Sequence, residues 1–303
     1  MEVIRPSIHA GSWFPGTAAD LRAAVDTMLE NAPTVQGTVK TIVVPHAAFQ
    51  YSGPTAAAAF KQMSSLQRTV KRVVLLATWH ADAASLLLPP EEFSAFGTPI
   101  GSVPLDREAL SALYSTGLYD TAPAELEIQE HSISVQIPFL KRVLPEGALL
   151  LPIYVGTIAE EDLPMYAETL APFFMDPDTV FVISTDWSHW GPRFGYLYLP
   201  SNVDQSLPLY KKIEALDREA IDCVLNLDAV CLEEHIQRTG NLICGYSALH
   251  LFLRVLERVA SASGAQHKDI LSPSLLKYAQ SDAIKSDTEN SVGYAALGFF
   301  RKS

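Results

Sequence analysis

Three short apolar runs in this sequence end alike: each leads to an imidazole. Residues 41–45 run straight into His46. Residues 72–77 pass through Thr78-Trp79 to His80. Residues 180–184 pass through Thr185 to Asp186-Trp187-Ser188-His189-Trp190. A fourth run of the same kind covers residues 149–155. Short stretches rich in Val, Ile and Leu, without clean alternation, are what strands covered on both faces require. Helix-like stretches lie between them, at residues 18–30, 53–63, 106–115, 132–143 and 162–174. Asp106 stands where a helix N-cap belongs, just before Arg107-Glu108-Ala109-Leu110. Alternation of strand and helix predicts an α/β fold, with a central mixed or mainly parallel sheet and helices on both faces. Two stronger helices at residues 207–225 and 246–261 and a last strand at 290–300 complete the pattern. With no repeat, charge block or linker, residues 1–303 read as one domain.

Ligands of open α/β sheets bind outside the carboxyl ends of the strands. If the three strands are adjacent and parallel, His46, His80 and His189 converge there, with Asp186 beside them. A single histidine at a strand end is more often capped or solvated than functional. Three of the eight histidines at equivalent strand ends weigh against that reading here. Asp186 and His189 stand three apart in a turn, a spacing at which a carboxylate can orient an imidazole. Cys244, in Gly240-Asn241-Leu242-Ile243-Cys244-Gly245, precedes a helical run. A helix N-terminus favours thiolate, which is both nucleophile and metal ligand. A buried small hydrophobe is the other reading, and position alone does not choose. Glu130-His131 stands at another helix start and is a weak signal for an acid or ligand at the mouth of a site.

Several chemistries are disfavoured. No G-x-x-x-x-G-K, G-x-G-x-x-G, C-x-x-C, H-E-x-x-H or G-x-S-x-G occurs, which removes the common nucleotide, zinc and serine-hydrolase motifs. A formal net charge of −12 argues against nucleic acid and against anionic membrane surfaces. The longest uncharged apolar stretches, residues 147–159 and 240–253, fall short of the ~18 residues that read as a span. The N-terminus lacks a signal-peptide pattern. Three cysteines do not look like a disulfide framework, so a reducing, cytoplasmic setting is expected, the nucleus also being compatible. Cys223 and Cys231 read as separate structural residues.

Taken in order, His9-Ala10-Gly11-Ser12-Trp13-Phe14, Val44-Pro45-His46-Ala47, Tyr51-Ser52-Gly53-Pro54, Glu130-His131-Ser132-Ile133, Ser184-Thr185-Asp186-Trp187-Ser188-His189-Trp190-Gly191, Ile243-Cys244-Gly245 and Tyr278-Ala279-Gln280-Ser281 span nearly the whole chain. The ordered set resembles the MEMO family, named for a mediator of cell motility downstream of receptor tyrosine kinases. The resemblance implies a fold like that of class III extradiol non-haem iron dioxygenases. It implies a metal held by His46, His80 and Cys244, with Asp186 and His189 lining the same pocket as catalytic groups. Two imidazoles and a thiolate suit iron, copper or zinc. The thiolate stands where those dioxygenases use a carboxylate, so a redox role is expected and ring cleavage is not. Dioxygen or a small molecule would take the open positions. A second reading makes the cleft a binding module for a signalling protein or phosphotyrosine peptide. The acidic charge and the absence of the family's Arg after Cys244-Gly245 count against phosphate. A third makes Cys244 a nucleophile activated by His189 and Asp186. The sequence departs from the family at Ala48-Phe49, at Thr78-Trp79 and at Tyr246, which bears on pocket shape rather than on the three ligands.

Overall fold

The computed structural model describes residues 3–64, 70–264, 266 and 269–302. The first half runs through β1 (Val3–Arg5), α1 (Ala18–Glu30), β2 (Val39–Val44), α2 (Phe49–Met63), β3 (Arg72–Thr78), β4 (Leu86–Leu88), β5 (Phe93–Thr98), β6 (Gly101–Pro104), α3 (Arg107–Tyr114), β7 (Tyr119–Thr121), α4 (Ala124–Gln129), α5 (His131–Ser134) and α6 (Ile137–Val143). The second half runs through β8 (Leu149–Val155), α7 (Leu163–Met175), β9 (Thr179–Ser184), β10 (His189–Trp190), α8 (Leu209–Leu225), α9 (Ala229–Thr239), α10 (Tyr246–Ser263), β11 (Leu271–Gln280) and β12 (Ser291–Arg301).

The apolar runs become β2, β9, β3 and β8, adjacent and parallel in that order. Every residue of β2 and β9 is buried, which is why their sequences show no alternation. Ser184 pairs with Val44 on one side and Ala77 on the other, so the three strands that lead to histidines end nearly level. Antiparallel β12 and β4 extend the sheet on its two sides, making it mixed. α2 packs on β2 and β12, while α7 and α10 pack together and reach β9. A separate small sheet joins β1, β5 and β6. The result is an α/β domain whose mixed sheets are flanked by helices.

Local chemistry explains the elements. Thr17 caps α1 by accepting the Asp20 N–H, and Leu21, Val25 and Leu29 form its buried stripe. Asp106 caps α3 through the Ala109 N–H, as its position predicts. The helix expected at 132–143 is broken. α5 ends at Ser134 and α6 begins at Ile137: Pro138 has no N–H to continue the ladder, while Val135 and Gln136 between them keep helical dihedrals. Gln136 in the break turns inward. Its Nε2 donates to the Pro45 carbonyl and the Ser184 hydroxyl.

The cysteine reading needs correction. Cys223 and Cys231 are not separate: they form a disulfide across eight residues. α8 ends at Leu225, Leu227 takes a positive φ of 55°, and α9 returns from Ala229, so the two Cα atoms come within 5.4 Å. An odd total of three hides one bridge and one free thiol, Cys244. The expectation of a reducing compartment loses its support. Among the described residues, no helix is long and apolar enough to cross a membrane.

Candidate metal centre

Parallel pairing of β2, β9 and β3 brings the residues beyond them to one edge. His46, fully enclosed, lies edge-on to His80, with ring centroids 5.2 Å apart. Cys244 reaches them because Gly245 lets the start of α10 approach β9. A Cβ on Gly245 would fall 2.4 Å from the Thr185 Cβ. The Cys244 sulfur lies 3.2 Å from His46 Nε2 and accepts the Asp186 backbone N–H at 3.2 Å.

Hydrogen bonds around His46 and His80 determine which ring nitrogen is free. The single Ser184 hydroxyl proton goes to the Ser132 carbonyl, 2.8 Å away. Ser184 Oγ then accepts from Gln136 Nε2, and it accepts from His46 Nδ1 at 2.9 Å. His46 therefore carries its proton on Nδ1 and turns the Nε2 lone pair toward Cys244. His80 follows the same rule. Its Nδ1 donates to Glu130 Oε1 at 2.9 Å, since a carboxylate only accepts, and its backbone N–H donates to Glu130 Oε2. Glu130 is 4% exposed and also accepts the Ser132 N–H, so its position is fixed.

Charges follow from these contacts. Burial opposes charge on His80, but Cys244 and Glu130 outweigh it and lift the imidazole to about 10. Burial alone would raise Glu130; His80 and two backbone N–H groups hold it down at about 2. Burial, then the charge on His80, pushes His131 down to about 4. His46 is driven well below the usual imidazole value by burial and by its three imidazole neighbours. Burial lifts Asp186 to about 6, against the pull of His189.

Asp186 and His189 are near the cluster but differ from the expected pair. Asp186 Oδ1 accepts the His46 backbone N–H at 2.8 Å, which fixes the turn after β2. His189 Nδ1 faces the Trp187 and Leu242 carbonyls, each at 3.0 Å, so carbonyls rather than Asp186 orient that ring. The imidazoles against Cys244 are His46 and His80, not His189. Sequence reasoning missed the weight of Glu130-His131. His131 stacks on His80 at 4.3 Å and 18°, with Trp13 on it at 4.3 Å. One donor atom each from His46, His80 and His131 lies within 4.8 Å of the others. The Glu-His dipeptide was the available signal; its pairing with His80, 50 residues away, is set only by the fold.

The fold and this cluster define an α/β protein with an imidazole-rich centre, one thiol beside it, at the carboxyl edge of a mixed sheet. A sequence model described as Memo-like protein matches residues 5–298. The chain belongs to that family. It is 31% identical over 296 residues to Protein memo-1 homolog of Caenorhabditis elegans, covering 97% of this chain and 82% of that one. It is 28% identical to Protein MEMO1 of Danio rerio and 27% to Protein MEMO1 of Homo sapiens, each covering 97% of this chain and 96% of the other. The crystal structure of an uncharacterised protein, JW3007, from Escherichia coli K12 superposes with a TM-score of 0.45 and 12% identity, covering 86% of this chain and 99% of that one. That likeness is too loose to carry an argument.

Proposed function

We propose that this chain binds a redox-active transition metal, iron or copper, with zinc also suiting the donors, through His46 Nε2, His80 Nε2 and Cys244 Sγ. The observation that carries the reading is the pair of Nδ1 contacts. Ser184 and Glu130 each occupy an Nδ1, which leaves two Nε2 atoms as donors near one sulfur. Metal-binding histidines are commonly oriented this way. The donor set fits such an ion, because imidazole and thiolate are borderline-to-soft ligands and suit neither magnesium nor calcium.

When bound, the ion would supply one-electron chemistry and open positions for dioxygen or a small molecule. The protein's own groups do the rest. Glu130 and Ser184 fix ring orientation, and Gln136 locks Ser184. Asp186 holds the His46 backbone, and His189, with its Nδ1 occupied, presents Nε2 for proton transfer in the pocket. Binding to His80 displaces a proton, so affinity falls as pH drops. Ring cleavage is not part of this proposal, since a thiolate replaces the carboxylate of a facial triad. The family's link to motility and signalling, and a signalling-protein partner, are carried here as part of the proposal.

The test is metal content of untagged protein, followed by anaerobic titration with Fe(II) and Cu(I), beside His46→Ala and Cys244→Ala. Tight binding in the parent, loss in His46→Ala and sharply weakened binding in Cys244→Ala is the expected outcome. Equal affinity in all three proteins would refute the site. A second reading, with Cys244 as nucleophile, draws on the 3.2 Å contact to His46 and the Asp186 N–H on the sulfur. Thiol labelling that bound metal does not block would favour it.

A further inference from the structure

The centre contains one more donor than the proposed ligand set uses. His131 is not a distant neighbour. It and His80 lie ring on ring, and both Nδ1 atoms face the same Glu130 oxygen, at 2.9 Å from His80 and 3.5 Å from His131. With Nδ1 of each ring on that carboxylate, each Nε2 lies on a ring edge turned away from it. His46 stands edge-on to both, at 5.2 Å from His80 and 5.3 Å from His131. One donor atom from each ring falls within 4.8 Å of the other two, before any ion draws them together. Trp13 backs His131 on its other face and limits how far that ring can swing.

We propose that the centre has two overlapping donor sets sharing His46 and His80, and that the third place is filled by either Cys244 or His131. This rests on the metal-binding reading above. The two sets differ in chemistry. The thiolate set favours a soft ion such as Cu(I); the three-imidazole set favours borderline ions such as Zn(II), Co(II) or Cu(II). They also differ in durability. A thiolate is oxidisable and an imidazole resists the same oxidants, so His131 keeps an ion in place when the sulfur is lost. His131 thus makes the site tolerant of a change in the metal's oxidation state and of damage to its own cysteine.

The experiment is titration of the metal-free protein with Co(II), followed by visible and near-ultraviolet absorption, in the parent, Cys244→Ser, His131→Phe and the double variant. Phenylalanine at 131 retains the stack between His80 and Trp13 and removes only the donor, and circular dichroism checks each fold. The parent should show a sulfur-to-cobalt charge-transfer band. Cys244→Ser should lose that band, keep the d–d bands of a nitrogen-ligated ion, and weaken by no more than on the order of a hundredfold. The double variant should weaken by roughly another hundredfold. Complete loss of binding in Cys244→Ser with a normal parent would overturn this inference alone. So would a double variant that binds as tightly as Cys244→Ser. Absence of uptake in all four proteins would overturn the metal-binding reading as well, so the two failures are distinguishable.

Discussion

The segment that carries Glu130 and His131 is held by one buried guanidinium, and removing it tests how the centre is supported. Arg5 is 2% exposed and its partner Glu127 is fully buried. Arg5 Nε donates to Glu127 Oε1 at 2.7 Å and Nη1 to Ser134 Oγ at 2.7 Å. Nη2 donates to the carbonyls of Glu127, Ile128 and Glu130 at 2.6, 3.2 and 3.1 Å. Tyr154 donates its hydroxyl to the same carboxylate. Arg5→Met retains most of the stem volume but leaves a buried carboxylate unpaired, which costs about 3–5 kcal/mol. At about 2.1 cal/mol/K of unfolding entropy per residue, 303 residues give roughly 0.6 kcal/mol/K, so Tm should fall by about 5–8 °C. The pH dependence has a definite sign. Burial already raises the Glu127 pKa against the pull of Arg5, and without Arg5 it rises further. A raised folded pKa on an acid means stability present at low pH and lost as pH rises. Thermal and denaturant unfolding should therefore show a larger deficit at pH 8 than at pH 5. Adding Glu127→Gln should restore part of the loss at pH 8 and flatten the profile. A deficit below about 1 kcal/mol, or a double variant less stable than the single one, would refute the reasoning.

Other consequences follow from particular contacts. Ser184→Ala removes the acceptor that fixes the His46 tautomer, so metal affinity should drop by about 10–100-fold, read by titration, while His46 itself remains. Asp217, buried and held by the Ser188 N–H and the Tyr278 hydroxyl, is lifted by burial to about 6. Its raised pKa makes stability fall as pH climbs from about 4 to about 6, and Asp217→Asn should remove that slope from the pH–Tm profile. The Cys223–Cys231 bridge closes an eight-residue loop, for which chain entropy gives about 2.5 kcal/mol. Reduction should lower Tm accordingly and raise the thiol count from one to three by mass spectrometry after alkylation. An unchanged Tm, or three alkylated thiols before reduction, would refute the bridge.

The central sheet was readable because burial on both faces imposes a pattern. The strands predicted at residues 41–45, 72–77, 149–155 and 180–184 appear as β2, β3, β8 and β9, with ends moved by no more than two residues. α1 falls where its apolar stripe and Thr17 cap place it. Elements without such a pattern were not readable. β1, β5 and β6 are short, partly exposed strands with little apolar signal. α9 went unseen because its buried positions, Ala229, Leu232, His235 and Thr239, are half polar. The break at Val135-Gln136 has a local cause in Pro138, but its role depends on a serine 48 residues further on. His131 looked like a helix start because nothing in its neighbourhood reveals that Glu130 pairs with His80.

These omissions share a physical origin. The residues beyond the strand ends and Cys244 before α10 supply nitrogen and sulfur atoms, and residue type is visible in sequence. Whether such an atom is a usable donor depends on its other hydrogen bond, and that bond comes from a different element. Ser184 on β9 sets the tautomer of His46 beyond β2, and Glu130 beyond α4 accepts from Nδ1 of His80 beyond β3. Gln136, in the turn between α5 and α6, locks Ser184 in place.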